Sequence, residues 1–207
     1  MARLFVTSFL EGAENIRLSH WLSDIGLPLV LGRITRPSKL HLTWQFLGDL
    51  SEEQCQGVLS ILNELKPALV QHLNKWSGEP ICYDKMDFWP NRENARVAVI
   101  TPQVVAEPVA AMGELMREPL QKYIKVDETV LRNVVFMPHL TVIRLKENHP
   151  LTPEQWLKYL EAIEGAYGEI APVKQTISDI ELIESQLSES GGMYKRIFSL
   201  DLIKAKT

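Results

Sequence analysis

The chain writes the same pattern twice, and this constrains its fold more than any other feature. Leu40-His41-Leu42-Thr43 and Pro138-His139-Leu140-Thr141 each open an alternating apolar run, 98 positions apart. Each run leads through a turn to a helix start of the form Ser/Thr-x-Glu-Gln: Ser51-Glu52-Glu53-Gln54 and Thr152-Pro153-Glu154-Gln155. Such a sequence caps its own helix, because the hydroxyl takes one orphan backbone N–H and the glutamine side chain takes another. A helix also leads toward each copy. With nine threonines and five histidines in 207 residues, two such pairs in matching surroundings are not accidental. The economical reading is an internal duplication. No flexible linker or low-complexity stretch divides the copies, so residues 1–207 are expected to form one domain of two related lobes that share an interface.

Side chains two apart on a strand share a face. His41 and Thr43 therefore project together, while Leu40, Leu42, Trp44 and Phe46 point the other way into the core. The same parity pairs His139 with Thr141 and sets Leu140 and Val142 behind them. If the lobes face each other about a pseudo-twofold, the two imidazoles meet across a cleft, each backed by a threonine. An imidazole titrates near neutrality and either gives or takes a proton there, so two opposed histidines suit general acid–base transfer at phosphorus. The threonine hydroxyls would hold the non-bridging oxygens, where charge accumulates in the transition state.

The remaining pattern supplies the frame. Strands are expected at 3–9, 40–47, 81–89, 96–101, 138–144, 170–176, 177–184 and 194–203. Helices are expected at 11–25 with Ile16, Leu18, Trp21, Leu22 and Ile25 on its apolar side, from Ser51 with a disturbance at Pro67, at 107–124, and at 152–163. Residues 27–39 read as a loop carrying Arg33, Arg36 and Lys39, and 188–192 as a hairpin loop.

Composition narrows the function. The net charge of −4 argues against a general nucleic-acid coat, though not against a local phosphate site. Cys55 and Cys82 form no CxxC pair and have no histidine at ligand spacing, so neither a disulfide scaffold nor a zinc site is suggested and a reducing cytoplasm fits. The N-terminus assembles no signal-peptide core, and no apolar run approaches the roughly 20 residues of a membrane span. No HxxxH, HxH or His-Asp pair occurs, so no metal and no cofactor are expected.

On these residues the chain resembles the 2H phosphoesterases, which carry two His-x-Thr-x motifs. More narrowly it resembles the RNA 2′,3′-cyclic phosphodiesterases, formerly called 2′-5′ RNA ligases. Arg3-Leu4-Phe5-Val6 is similar to the family's opening strand, Leu40 to Gly48 to its first motif, and Pro138 to Arg144 to its second. Ile180 to Leu187, followed by Gly191-Gly192-Met193-Tyr194, is similar to its last hairpin. The resemblance implies an α+β fold of two lobes, with antiparallel sheets lining a central cleft and helices outside. It implies hydrolysis of 2′,3′-cyclic phosphodiester RNA ends to 2′-phosphomonoesters, with 2′-5′ ligation as the reverse. His41 would be the proton donor and His139 the acceptor. Trp44 departs from the smaller aliphatic residue usual there. Arg144 matches a recurrent arginine and is a phosphate partner in kind. Strand parity sets it on the face opposite His139, so reaching the phosphate requires a bulge or the strand's end.

Plainer readings stand beside these. His20, His72 and His149 do not repeat the motif and are read as structural. Arg33, Arg36 and Lys39 are read as a solvated loop, with guidance of an RNA backbone toward His41 as the alternative. Tyr194 is read as packing, with base stacking as the alternative. The partner expected is an RNA or oligonucleotide with a 2′,3′-cyclic phosphate end, met by a monomer away from any membrane. The competing functions are an RNA-end binding module with little catalysis, or a phosphodiesterase for small cyclic nucleotides.

Overall fold

The computed structural model describes residues 2–76, 79–124, 136–186 and 193–202. The first half of the chain runs β1 (Ala2–Phe9), α1 (Gly12–Asp24), β2 (Gly32–Ile34), β3 (His41–Gly48), α2 (Glu52–Lys75), β4 (Ile81–Tyr83) and β5 (Lys85–Trp89). The second runs β6 (Val97–Thr101), α3 (Glu107–Leu120), β7 (Leu140–Leu145), α4 (Pro153–Gly168), β8 (Val173–Gln175), β9 (Asp179–Gln186) and β10 (Met193–Asp201).

The two halves map onto each other. The main sheet has the order β10-β9-β1-β3-β7-β6-β5, with β2 added against β7. Exchanging β1 with β6, β3 with β7 and β5 with β9 reverses β9-β1-β3-β7-β6-β5 onto itself, and β4 and β8, equivalent under the same exchange, pair with each other. All the strand pairs described are antiparallel. The α+β duplication expected from the sequence is therefore the architecture observed. The halves meet where the motif strands lie side by side, through the backbone pair Leu42↔Leu140.

Leu40, Leu42, Trp44, Leu140 and Val142 are buried in one continuous core with Leu18 and Leu22 of α1, Leu62 and Leu69 of α2, Met112 and Met116 of α3, and Trp156 and Leu160 of α4. Both capping boxes form: Ser51 and Thr152 each accept from the glutamine N–H three residues on, while that glutamine's side chain accepts from the cap's own N–H. These helices start where the sequence says they should.

Several expectations need correction. Ile16 is 59% exposed, leaving Leu18, Trp21 and Leu22 as the buried side of α1. Helix α2 continues through Pro67, and α4 extends to Gly168 rather than ending near 163. The run 81–89 is two strands in different sheets, separated at Asp84, whose carboxylate accepts the Gln103 N–H at 2.6 Å. The 27–39 loop contains β2, which aligns Gly32, Arg33 and Ile34 with Leu145, Arg144 and Ile143. The expected 188–192 hairpin loop lies outside the described residues.

Phe46 is the most informative correction. It is 62% exposed, whereas Leu47 is 2% exposed. The register with β1 shows why: Thr7 faces Thr43 but Val6 faces Gln45, so Trp44 is an extra residue and the alternation slips. The second motif does the same. Val99 faces Thr141 but Ala98 faces Ile143, making Val142 the extra residue. Each motif threonine is thus followed at once by a bulge.

Candidate active site

The Leu42↔Leu140 pair fixes the geometry of the motifs. In antiparallel register the neighbours of that pair are His41 beside Thr141 and Thr43 beside His139. Leu42 and Leu140 point into the core, so these four side chains occupy the opposite face of the sheet. His139 itself precedes the first residue of β7. Phe136, three positions earlier, is stacked on Trp44 with ring centroids 5.3 Å apart and planes at 11°. The Trp44 indole N–H donates to Ser8 Oγ at 2.8 Å. The large residue in the first motif therefore braces the segment that delivers the histidine of the second.

The two imidazoles have matching settings. His41 Nδ1 lies 2.7 Å from the Lys39 carbonyl and His139 Nδ1 lies 2.9 Å from the Met137 carbonyl, in each case two residues back. A carbonyl only accepts, so Nδ1 carries the hydrogen and donates it. Nε2 is left as the atom that takes or gives a proton. Burial pushes His41 down to about 4; the Lys39 carbonyl opposes this, and Arg144 and His139 add to it. Burial also lowers His139, against the Met137 carbonyl. The charge of His139 is felt at His41, which places the second histidine within electrostatic reach.

The bulge at Val142 decides the position of Arg144. Val142 and Ile143 are both buried in the core, and Arg144 emerges exposed on the motif face, where its charge is felt by His41, Lys39 and Tyr194. The parity objection raised by simple alternation is thereby removed. Phe46 stands in the equivalent place on β3: it faces Phe5 of β1 as Arg144 faces Val97 of β6. Thr43, Thr141, His41, His139 and Arg144 are thus brought to one face.

Sequence reasoning named Tyr194, as packing or a base-stacking residue, and missed the other walls. Phe5, Phe9 and Tyr194 surround the His41 ring at centroid distances of 5.1, 5.7 and 5.7 Å, and Trp89 meets the His139 ring edge-on at 4.6 Å. Phe5 and Phe9 share their strand's parity with Thr7, a signal available in the sequence; nothing local marks Trp89. Lys39 Nζ lies 5.0 Å from the Tyr194 ring centroid, which packs that aromatic against a cation as well as against His41. The histidines read as structural lie elsewhere: His20 is exposed on α1, His72 sits in the last turn of α2, and His149 is stacked on Trp156 with centroids 4.0 Å apart. Among the described residues no three His, Cys, Asp or Glu side chains gather as metal ligands do, and no helix is long and apolar enough to cross a membrane.

No protein-family model matches the chain. Two curated proteins named RNA 2′,3′-cyclic phosphodiesterase are similar to it over nearly their full lengths. One, from Aquifex aeolicus, is 25% identical over 194 residues, 94% of each chain. The other, from Archaeoglobus fulgidus, is 27% identical over 200 residues, 95% of this chain and 99% of that one. Among solved structures, one described as a phosphoesterase superposes with a TM-score of 0.68 at 16% identity, covering 99% of this chain and all of the other. Escherichia coli LigT complexed with 3′-AMP gives 0.66 at 17% identity, with 98% of each chain covered. These relatives bear out the resemblance carried by the two His-Leu-Thr motifs, and the solved structures share the fold.

Proposed function

We propose that this chain, similar over most of its residues to proteins named RNA 2′,3′-cyclic phosphodiesterase, hydrolyses the 2′,3′-cyclic phosphodiester ends of RNA to 2′-phosphomonoesters. The observation that carries the reading is the doubled imidazole: two histidines on adjacent strands, each fixed through Nδ1 to the carbonyl two residues back, each beside a threonine hydroxyl. In the reaction, His139 Nε2 takes a proton from water as the oxygen attacks phosphorus. The P–O3′ bond breaks opposite to it, and His41 Nε2–H delivers a proton to O3′. Thr43 and Thr141 donate to the non-bridging oxygens, and the Arg144 guanidinium offsets their charge. With a 5′-hydroxyl in place of water, the same step joins a 2′–5′ linkage, His139 taking the proton of the attacking hydroxyl and His41 protonating O3′. Both histidines come from one chain, so a monomer suffices; the free thiols Cys55 and Cys82 suit a reducing cytoplasm.

His41→Ala and His139→Ala should each nearly abolish hydrolysis of a cyclic-ended oligonucleotide while keeping appreciable affinity for it. A substrate with sulfur in place of O3′ needs no proton on departure and should rescue His41→Ala far more than His139→Ala. Equal rescue would void the assignment of donor and acceptor, wild-type turnover in either variant would remove that histidine from the proton transfers, and binding without turnover by the wild-type chain would leave a binding module as the reading.

A further inference from the structure

The motif face has one end that is strongly cationic in a chain whose net charge is −4. Strand β2 brings Arg33 directly opposite Arg144, and like charges facing each other across a strand pair are destabilising. Gly32 makes the approach possible: a Cβ there would lie 2.6 Å from the Arg144 carbonyl oxygen. Arg36 and Lys39 follow within six residues, and the Lys39 ammonium is held below its usual range by burial and then by Arg36, Arg33 and Arg144, so the four cations act on one place. Among the described residues neither Arg33 nor Arg144 has a carboxylate at ion-pair distance. A pairing that costs stability and lacks an internal counterion is explained by an anion from outside.

That end adjoins His41. In the proposed reaction, on which this inference rests, the oxygen protonated by His41 remains on the ribose, so the nucleoside and the chain preceding it lie on the His41 side. The water comes from the His139 side. We infer that Arg33, with Arg36 and Lys39, forms a second phosphate subsite that takes the phosphodiester one nucleotide upstream of the cyclic end, and that the protein therefore selects oligonucleotide ends over cyclic mononucleotides. Arg144 serves the reacting phosphate and Arg33 the preceding one.

The test crosses the protein with its substrate. Turnover is measured on a 2′,3′-cyclic mononucleotide, on the cyclic-ended dinucleotide, and on that dinucleotide with its internal phosphate replaced by a neutral methylphosphonate. The dinucleotide should exceed both others in kcat/KM by about tenfold or more, the scale of a hydrogen bond to a charged group. Arg33→Gln should remove that advantage and leave the mononucleotide within about twofold, while Arg33→Lys keeps much of it. Equal loss on all three substrates, or no loss on the dinucleotide, would overturn the subsite. Absence of hydrolysis on every substrate by the wild-type chain would instead refute the proposed activity. In that case the same three ligands are compared by binding, and an affinity for the dinucleotide indifferent to methylphosphonate and to Arg33→Gln would end the subsite as well.

Discussion

The two motif histidines are set against their own charge. His41 is held at about 4 and His139 is lowered too, so near neutral pH the free protein carries both imidazoles uncharged, whereas the proposed reaction needs one proton on His41. The singly protonated pair exists between the two apparent values, both of which lie below the ordinary 6.5 of histidine. The pH profile of kcat/KM should accordingly be bell-shaped with its maximum on the acid side of 6.5. Removing the Arg144 charge in Arg144→Gln relieves part of the depression of His41, so the acidic limb should move to higher pH even as activity falls. A maximum above pH 7.5, or limbs that stay in place in Arg144→Gln, would contradict this account. Bound substrate supplies negative charge at the same spot and raises His41, so the limbs of kcat should lie at higher pH than those of kcat/KM.

Helix α3 holds the second histidine at one remove. A Cβ on Gly113 would stand 2.5 Å from the Phe136 ring, which is itself stacked on Trp44, and Phe136 leads directly to His139. Gly113→Ala must push that ring and carry the segment with it. Misplacing a reacting group by about 1 Å costs up to roughly 100-fold, so kcat should drop by about 10- to 100-fold with a smaller change in KM. A parallel Tm measurement separates displacement from unfolding: Ala is the better helix former and Gly113 has no positive φ, so a fall in kcat with the folded state retained at the assay temperature belongs to the displaced segment. Unaltered kcat would show that the Trp44–Phe136 stack does not position His139. Local patterning did not reveal this brace: Trp44 reads as an ordinary core residue, and its partner lies 92 positions along the chain.

The sheet is continuous through β3 and β7, and β4 of one half pairs with β8 of the other, so neither lobe closes its core alone. Unfolding in urea should be one transition, with tryptophan fluorescence and far-ultraviolet circular dichroism coincident. Two separated transitions would mean that the halves are independent despite the shared sheet. The −4 charge of the chain says little about this face, since Arg33, Arg36, Lys39 and Arg144 are gathered close together on it.

The duplication, the faces of His41, Thr43, His139 and Thr141, both capping boxes and the buried Leu18, Trp21 and Leu22 of α1 were legible in the sequence. Each follows from a spacing of two, three or four residues, and such spacings depend on local backbone geometry alone. The placement of Leu42 opposite Leu140, the bulges at Trp44 and Val142, the emergence of Phe46 and Arg144 on the motif face, and the seating of Arg33 against Arg144 were not. Register joins residues that may be a hundred positions apart, and a single bulge reverses the parity of everything beyond it without altering the local pattern. Sequence paired the two motif histidines; packing decided which charges and rings surround them.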